Sequence, residues 1–367
     1  MRKGKGVPSP PRADGGFISG KQIAVDLFSG AGGMSEGLRR AGYRIAGAVE
    51  VDKLACQTYR LNHRGVELWN IDIRRLSGAS MLRRLRLKRG DIDLLAACPP
   101  CQGFSVMRTR NGAQRNNDPR NDLIFEVLRF ARALRPKAIM LENVPRLVEN
   151  RRYSLFRKGL EALGYHLVSG VLNVVDFAVP QSRRRLVLLG SKTFTPHFAP
   201  KSRNRRTVRD AIGALPRPTH SDDPLHNYRV RRSRAVMDRI RQIPRNGGSR
   251  LSLGVDAQLP CHSRCDGFKD VYGRMAWGNP APTITGGCIN PSKGRYLHPS
   301  ANRAITLREA ALLQTFPRSY RFPIECGRYP VALLIGNALP PEFIRRHALA
   351  LRRKGRILDE SPDSRKV

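Results

Sequence analysis

Acidic residues are scarce in this chain. Asp and Glu number 29 against 67 Lys and Arg in 367 residues, a formal net charge of +38. A compact body with that surplus repels itself unless counterions or a polyanion balance it, and nucleic acid is the partner such charge points to. A ribosomal or membrane-surface protein is the plainer alternative, but 40% hydrophobic content indicates a folded body rather than a charged tail. Long apolar runs are missing too. None approaches the ~20 residues that span a bilayer, so no membrane helix is expected. Cysteines are few and odd in number, seven, with no visible signal peptide. That argues against a disulfide framework and for a reducing, cytoplasmic setting. Internal repeats are absent, and 367 residues suffice for a large core and suggest two domains.

The chain does have alternation. From Gln22 to about Gly190, short apolar runs take turns with helical patterns. Strands are expected at Ile23–Phe28, Ile45–Val49, Ile92–Ala97, Ala138–Glu142, His166–Leu172 and Leu186–Gly190. Helices are expected at Met34–Ala41, Leu54–Asn62, Leu123–Leu134, Tyr153–Leu163 and, near the end, Pro341–Leu351. This is the pattern of an α/β fold, an open and mostly parallel sheet with helices on both faces. After about Ser191 it degrades. Thr195 to Trp277 holds 17 Lys and Arg and 7 Asp and Glu, and reads as a smaller, basic, irregular domain. The expected division is a disordered basic tail at 1–20, a catalytic and cofactor domain at 21–190, a second domain at 191–330, a helix returning to the first domain at 331–352 and a basic tail at 353–367. A basic run from Arg74 to Arg89 reads as a solvated helix face.

Four segments carry the candidate chemistry. Asp26-Leu27-Phe28-Ser29-Gly30-Ala31-Gly32-Gly33 follows the first strand and opens the first helix, where glycines let the backbone approach a ligand. Glu50, 20 residues past Gly30, ends the second strand and is placed to accept hydrogen bonds from two ribose hydroxyls. A dinucleotide would suit such a loop, but Asp26 would repel a pyrophosphate; its charge suits a sulfonium or an amino group. Asp72-Ile73, after the third strand, could bond an adenine amino group and pack on its ring. Together these favour S-adenosyl-L-methionine. The second segment is Pro99-Pro100-Cys101-Gln102, which places a thiol beyond a strand's carboxyl end, where α/β sheets bind ligands. The stretch from Met107 to Asn121 has the composition of a loop that closes over a substrate. Glu142-Asn143-Val144 ends another apolar run, and a carboxylate in a partly dry cleft can hold a raised pKa and act as an acid. Finally, Gln181, Arg183 and Arg185 share one face of an extended segment, and paired arginines suit a carbonyl, phosphate or carboxylate partner. Cys261-His262-Ser263-Arg264-Cys265 offers half a zinc site with no second Cys/His pair nearby, so no metal is expected.

In order along the chain these segments resemble the C5-cytosine-specific DNA methyltransferase family. The resemblance continues through Arg303-Ala304-Ile305-Thr306-Leu307-Arg308-Glu309 and Gly336-Asn337-Ala338-Leu339-Pro340-Pro341, so it runs from Asp26 to Pro341. It implies a Rossmann-like class I methyltransferase domain with a mostly parallel seven-stranded sheet, and a variable target-recognition domain in the irregular basic segment. It implies cofactor contacts from Asp26, Phe28, Ser29, Gly30, Gly32, Gly33, Glu50, Val51, Asp72, Ile73, Pro100, Leu123, Asn337 and Ala338. Val51 stands where some members carry an aromatic that stacks on adenine. Asp122, in Asn121-Asp122-Leu123, is not a residue the pattern predicts.

The resemblance also implies a mechanism. Cys101 adds to C6 of a cytosine flipped out of the duplex, which makes C5 nucleophilic. Glu142 bonds N3 and the exocyclic amine, Arg185 binds O2, and Arg183 positions the intermediate or holds Glu142. The implied partner is double-stranded DNA, with a monomeric enzyme and a functional pairing with a restriction endonuclease. An RNA cytosine-C5 methyltransferase and a catalytically inactive DNA-binding homologue are the alternatives. A nicotinamide oxidoreductase explains the glycine loop and nothing else.

Overall fold

The computed structural model of the chain describes residues 21–100, 119–253 and 270–354. The segments expected to be disordered, Cys101 with the stretch after it as far as Asp118, and Cys261 and Cys265 lie outside the described residues, apart from the last turn of the final helix; Pro119–Asp122, where that stretch ends, form a short 3-10 helix. Seven strands form one sheet in the order β3-β2-β1-β4-β5-β7-β6. They are β1 (Ile23–Leu27), β2 (Arg44–Glu50), β3 (Glu67–Asn70), β4 (Leu94–Ala97), β5 (Ala138–Asn143), β6 (His166–Asn173) and β7 (Arg184–Ser191). The first five run parallel, while β7 is antiparallel to both β5 and β6. The strand order reverses at the β1–β4 boundary, so a crevice opens there at the carboxyl ends of both strands.

Ten α-helices complete the described residues: α1 (Gly33–Arg40), α2 (Lys53–Asn62), α3 (Gly78–Leu85), α4 (Leu123–Leu134), α5 (Arg151–Glu161), α6 (Val208–Ile212), α7 (Arg234–Gln242), α8 (Leu307–Leu313), α9 (Arg328–Asn337) and α10 (Pro341–Lys354). The period-two rule of strands sorts β4 onto both faces of the sheet. Leu95 and Ala97 join Val25, Leu27 and Leu141 under Met81 of α3, Phe130 of α4 and Phe156 of α5. Leu94 and Ala96 join Ala24, Met140 and Val187 under Leu38 of α1 and Phe343 and Ile344 of α10. Both faces are covered, which is why β4 is a run of apolar residues rather than an alternation.

Most of the expected strands and helices are present to within two residues. The single helix expected at 331–352 is two, α9 and α10, parted at Ala338, Leu339 and Pro340, and two helices lack a legible pattern for physical reasons. α3 lies inside the arginine run, and its apolar stripe is only Met81, Leu82 and the half-buried Leu85. α9 is apolar on nearly all sides and carries Pro330 in its first turn, where proline costs a helix little, so it shows neither a stripe nor a clean start.

The irregular part has its own core. Val208, Ile212, Ile284, Leu307, Leu313 and Phe316 pack together, and Ala31 from the loop after β1 enters the same cluster. A small satellite of Ile240, Ile243, Val271, Tyr272 and Leu297 lies beside it. Arg274 ties that satellite together from inside: it is fully buried, and its guanidinium donates to the carbonyls of Ile240, Ile243, His298 and Ala301 and to Asn302 Oδ1.

Candidate active site

The loop from β1 into α1 turns through three residues of positive φ: Phe28 at 60°, Gly30 at 54° and Gly32 at 89°. A Cβ on Gly32 would lie 2.5 Å from His63 Nε2 and 2.6 Å from Tyr320 Oη, and one on Gly33 would lie 2.5 Å from the Leu339 carbonyl oxygen. These two glycines are required by packing. Gly30 is different: nothing lies within 4 Å of where its Cβ would be. The loop is braced from outside by Glu50. Its Oε2 accepts from the Gly30 amide at 2.8 Å, and its Oε1 from the amides of Val51 and Asp52, each at 2.8 Å. Oε1 thus has both lone pairs engaged, while Oε2 has one left.

Asp26, at the end of β1, is fully buried. Its Oδ2 accepts from Ser35 Oγ at 2.7 Å, and Ser35 Oγ in turn lies 2.7 Å from Tyr59 Oη. Because Ser35 spends its proton on Asp26, Tyr59 donates to Ser35. Burial, with Glu50 nearby, raises the Asp26 carboxyl to about 7 despite the bond from Ser35. Its second oxygen, Oδ1, and the hydroxyl of Ser29 are both buried without a hydrogen-bond partner. Such orphaned groups are costly unless something completes them.

The other expected cofactor residues are spread around this loop. Val51 is 64% exposed at the end of β2, an apolar surface with nothing packed on it. Asp72 is turned toward its neighbour: Arg74 Nε lies 3.0 Å from Oδ1 and Nη2 2.5 Å from Oδ2, which holds the carboxyl down to about 2. Ile73 is buried in the core. Leu123 begins α4 and is half-buried. Asn337 is exposed at the end of α9, and the half-buried Ala338 that follows passes into Leu339, which packs on Gly33. Asp122 forms a 2.6 Å ion pair with Arg152, linking the starts of α4 and α5.

Across the crevice, β4 ends in Pro99 and Pro100. The carbonyl of Pro99 accepts from Asn143 Nδ2 at 3.0 Å, so the ends of β4 and β5 are joined. Glu142, one residue earlier, is 2% exposed. Arg185 Nε lies 2.8 Å from its Oε1, and Cys98 Sγ donates to its Oε2 at 3.1 Å. Burial raises the Glu142 carboxyl above the usual carboxylate range, with Arg185 as the largest opposing influence. Burial and the Glu142 charge push the Cys98 thiol well up, so it stays protonated and donates.

Arg183 and Arg185 share a face as expected but do different work. Arg183 is buried, and its Nη1 donates to the carbonyls of Ile284 at 2.7 Å and Gly336 at 2.9 Å. Desolvation, with Arg185 nearby, lowers it to about 9. It is Arg185 that holds Glu142. Gln181 completes the row: its Oε1 accepts from the Ile284 amide at 2.8 Å and its Nε2 donates to Gln314 Oε1 at 2.7 Å. Gln314 passes the bond on to the carbonyls of Ile335 and Ala338.

Residues 23–353 match the family profile of C-5 cytosine-specific DNA methylases. The chain belongs to that family. The type II methylase M.HgiDII of Herpetosiphon aurantiacus is 33% identical over 90% of this chain and 94% of its own length. The type II methyltransferase M1.HphI of Haemophilus parahaemolyticus is 32% identical over 86% of this chain and 83% of its own. Among solved structures, an E. coli prophage protein provisionally named a DNA modification methyltransferase superposes with a TM-score of 0.65 at 25% identity, covering 90% of this chain and 99% of that one. This methylase is therefore an enzyme of the methyltransferase class, with the Rossmann-like architecture its sheet displays. No helix among the described residues is long and apolar enough to cross a membrane.

Sequence reasoning passed over three residues that organise the methylase site. Cys98 read as part of a strand, Asn143 as a neighbour of Glu142 and Gln314 as nothing at all. Asn143 had a usable signal, an amide at the end of a fully apolar strand. Gln314 had none, since its partners lie 133 and 21 residues away.

Proposed function

We propose that the protein transfers a methyl group from S-adenosyl-L-methionine to C5 of a cytosine flipped out of duplex DNA, through a covalent bond between Cys101 and C6. The observation that carries this reading is Glu142, a buried, proton-favouring carboxyl clamped between Arg185 and Cys98. It stands one strand over from the Pro99-Pro100 turn that leads into Cys101. A carboxyl whose hold on a proton is strengthened by burial can donate to N3 as the ring accepts charge, and a thiol alone cannot activate C5 without that acid. The family match and the type II relatives support DNA as the substrate.

The loop after β1 fits the cofactor. Asp26 Oδ1 is a buried, unpartnered acceptor for an ammonium group, Ser29 Oγ is a second unpartnered group, and Gly30 in the same loop faces open space. Glu50 Oε2 has one lone pair left for a ribose hydroxyl. Val51 offers an exposed apolar surface for the adenine. Asp72 reaches an adenine amino group only if it shares its carboxylate with Arg74. Bound there, the cofactor supplies an electrophilic methyl group.

In the proposed sequence the Cys101 thiolate adds to C6 while Glu142 gives its proton to N3. C5 takes the methyl group as its bond to the cofactor sulfur breaks, a base removes the C5 proton, and Glu142 takes back the N3 proton as the Cys101–C6 bond breaks to restore the ring. Arg185 holds Glu142 in place, and its guanidinium is the group proposed to serve O2 of the base. Arg183 anchors the Ile284 and Gly336 backbone behind the site instead of touching the intermediate. The recognition segment is proposed within residues 191–330, and the partner endonuclease follows from the type II relatives.

The test is covalent trapping. Fluorine at C5 cannot leave as a proton does, so duplex DNA containing 5-fluorocytosine, with S-adenosyl-L-methionine, should form a denaturation-resistant adduct. Cys101→Ala should abolish it, and Glu142→Gln should slow it by ~10²–10⁴-fold. An adduct that survives in Cys101→Ala, or one formed only with RNA, sinks the proposal.

A further inference from the structure

The reaction described above uses one edge of the sheet. The opposite edge carries a concentration of charge that the reaction does not use. Residues at the amino ends of the parallel strands are brought together there by the backbone. The Gly90 amide donates to the Leu134 carbonyl at 2.9 Å, and Arg89 Nη2 donates to the Arg132 carbonyl at 3.2 Å. The Lys137 amide donates to the Ile92 carbonyl at 3.0 Å. One continuous surface therefore presents Arg86, Lys88, Arg89, Arg132, Arg135 and Lys137, all exposed. The carboxylates among them are already engaged. Asp93 pairs with Lys137 at 2.8 Å, Asp91 accepts from the Lys88 amide, and Glu67 at the start of β3 pairs with Arg84 at 3.1 Å. Among the described residues, Arg86, Lys88, Arg89, Arg132 and Arg135 have no carboxylate within ion-pair distance.

Helix-end electrostatics do not account for this. A cation in the last turn favours a helix, and Arg83 and Arg84 of α3 and Arg132 of α4 already supply it. Yet both helices then end on a further arginine in the left-handed region, Arg86 at φ 56° and Arg135 at φ 51°. Glycine takes that conformation without strain and is the usual residue there. Two arginines held in it, in a cluster of like charges, represent two local costs at one edge.

We propose that this amino edge is a second nucleic-acid surface, which holds the phosphate backbone of a duplex segment other than the one delivering cytosine to the crevice. The sheet separates the two surfaces, so the same stretch of duplex cannot lie in the crevice and across this edge. Its contacts are to phosphates only and carry no sequence information.

The test compares the full chain with Arg86→Gly/Lys88→Gln/Arg135→Gly. Labelled non-target duplex of about 20 base pairs is titrated at several salt concentrations. The unaltered chain should bind two duplexes per chain at low salt, and the variant should bind the second at least tenfold more weakly. The slope of log affinity against log salt for the second duplex should drop by about 0.9 for each contact removed. The melting temperature of the variant should hold or rise, since glycine relieves both left-handed positions, so lost binding cannot be lost folding. One duplex per chain in the unaltered protein, or two in the variant with the same slope, overturns the inference. Covalent trapping on 5-fluorocytosine DNA reads the catalytic proposal separately: a chain that traps but binds one duplex fails only here.

Discussion

Leu94 and Gln314 are both wholly buried, and they hold the molecule in opposite ways. Leu94 sits in the sheet among apolar side chains from α1 and α10, where contacts are many, weak and non-directional. Gln314 sits where the irregular part meets the sheet, and its amide joins Gln181 to the carbonyls of Ile335 and Ala338. Arg183 and Arg274 repeat that plan, each a buried arginine with backbone carbonyls as its acceptors. The regular half buries its backbone polar groups in sheet and helix. The irregular half leaves carbonyls over, and long side chains from inside satisfy them. The first half should tolerate changes of shape and the second should not tolerate changes of polarity.

The largest expected effect breaks the second half at its centre. Arg274→Met keeps most of the volume but strands the carbonyls of Ile240, Ile243, His298 and Ala301. A loss of about 3–5 kcal/mol is expected, as when one partner of a buried charged network is removed. Chemical denaturation followed by a probe in residues 270–305 would show it as an early separate transition. A single unshifted transition would mean that these carbonyls find water.

A matched pair sharpens the comparison. Leu94→Met and Gln314→Met place the same side chain at two sites of equal burial. The first conserves volume and character and should cost less than about 1.5 kcal/mol. The second leaves Gln181 Nε2 and two carbonyls without partners and should cost about 2–3 kcal/mol. Gln181→Leu combined with Gln314→Met should cost less than the sum of the two, because one bond is counted twice. Equal costs in the matched pair would remove the distinction between the halves.

What could be read from the sequence follows the same line. β1, β2, β5, β6, β7, α1, α2, α4, α5 and α10 rest on local period and apolar runs, and their positions are visible in any window of about ten residues. The site residues Asp26, Glu50 and Glu142 were visible because strand ends in such a sheet face one crevice. Cys98 donating to Glu142, Asn143 reaching Pro99 and Arg183 turning to Ile284 and Gly336 were not visible, because each depends on a partner 44 to 153 residues away. Period also cannot separate a strand that runs parallel from one that does not. The antiparallel β7 follows from the short path through Gln181 to Arg183, which has no room for a crossover helix.

A pH experiment separates the two kinds of buried group within the site. The Asp26 carboxyl lies at about 7 in the folded protein against 3.8 as the ordinary value, so between those values the folded state binds more protons than the unfolded. Stability from this group is therefore greatest at low pH and falls as pH rises through about 7, by about 2 kcal/mol between pH 5 and 7. His63, His298 and His347, each lowered to about 4 by burial, act in reverse: their contribution is lost as pH falls from about 6.5 toward 4. Asp26→Asn should remove the fall above pH 5 and leave the histidine-driven loss intact. Unchanged pH dependence in that variant would show that Asp26 is already charged and partnered in the free protein.

A small stability effect belongs to one of the residues proposed to face the cofactor. Gly30 and Gly32 stand two apart in one loop, both with positive φ, yet their surroundings differ. Gly32→Ala drives a methyl group into His63 and Tyr320, which the core cannot move, since Tyr320 Oη also bonds the Ala31 carbonyl at 2.5 Å. Gly30→Ala meets no atom within 4 Å and bears only the left-handed strain, about 1–2 kcal/mol. Its methyl group would instead project into open space that the cofactor is proposed to fill. Gly30→Ala should therefore fold with a slightly lowered melting temperature and lose cofactor affinity at least tenfold by calorimetry, while Gly32→Ala loses mainly stability. If Gly30→Ala binds S-adenosyl-L-methionine as tightly as the unaltered chain, the open side of that loop is not where the cofactor lies.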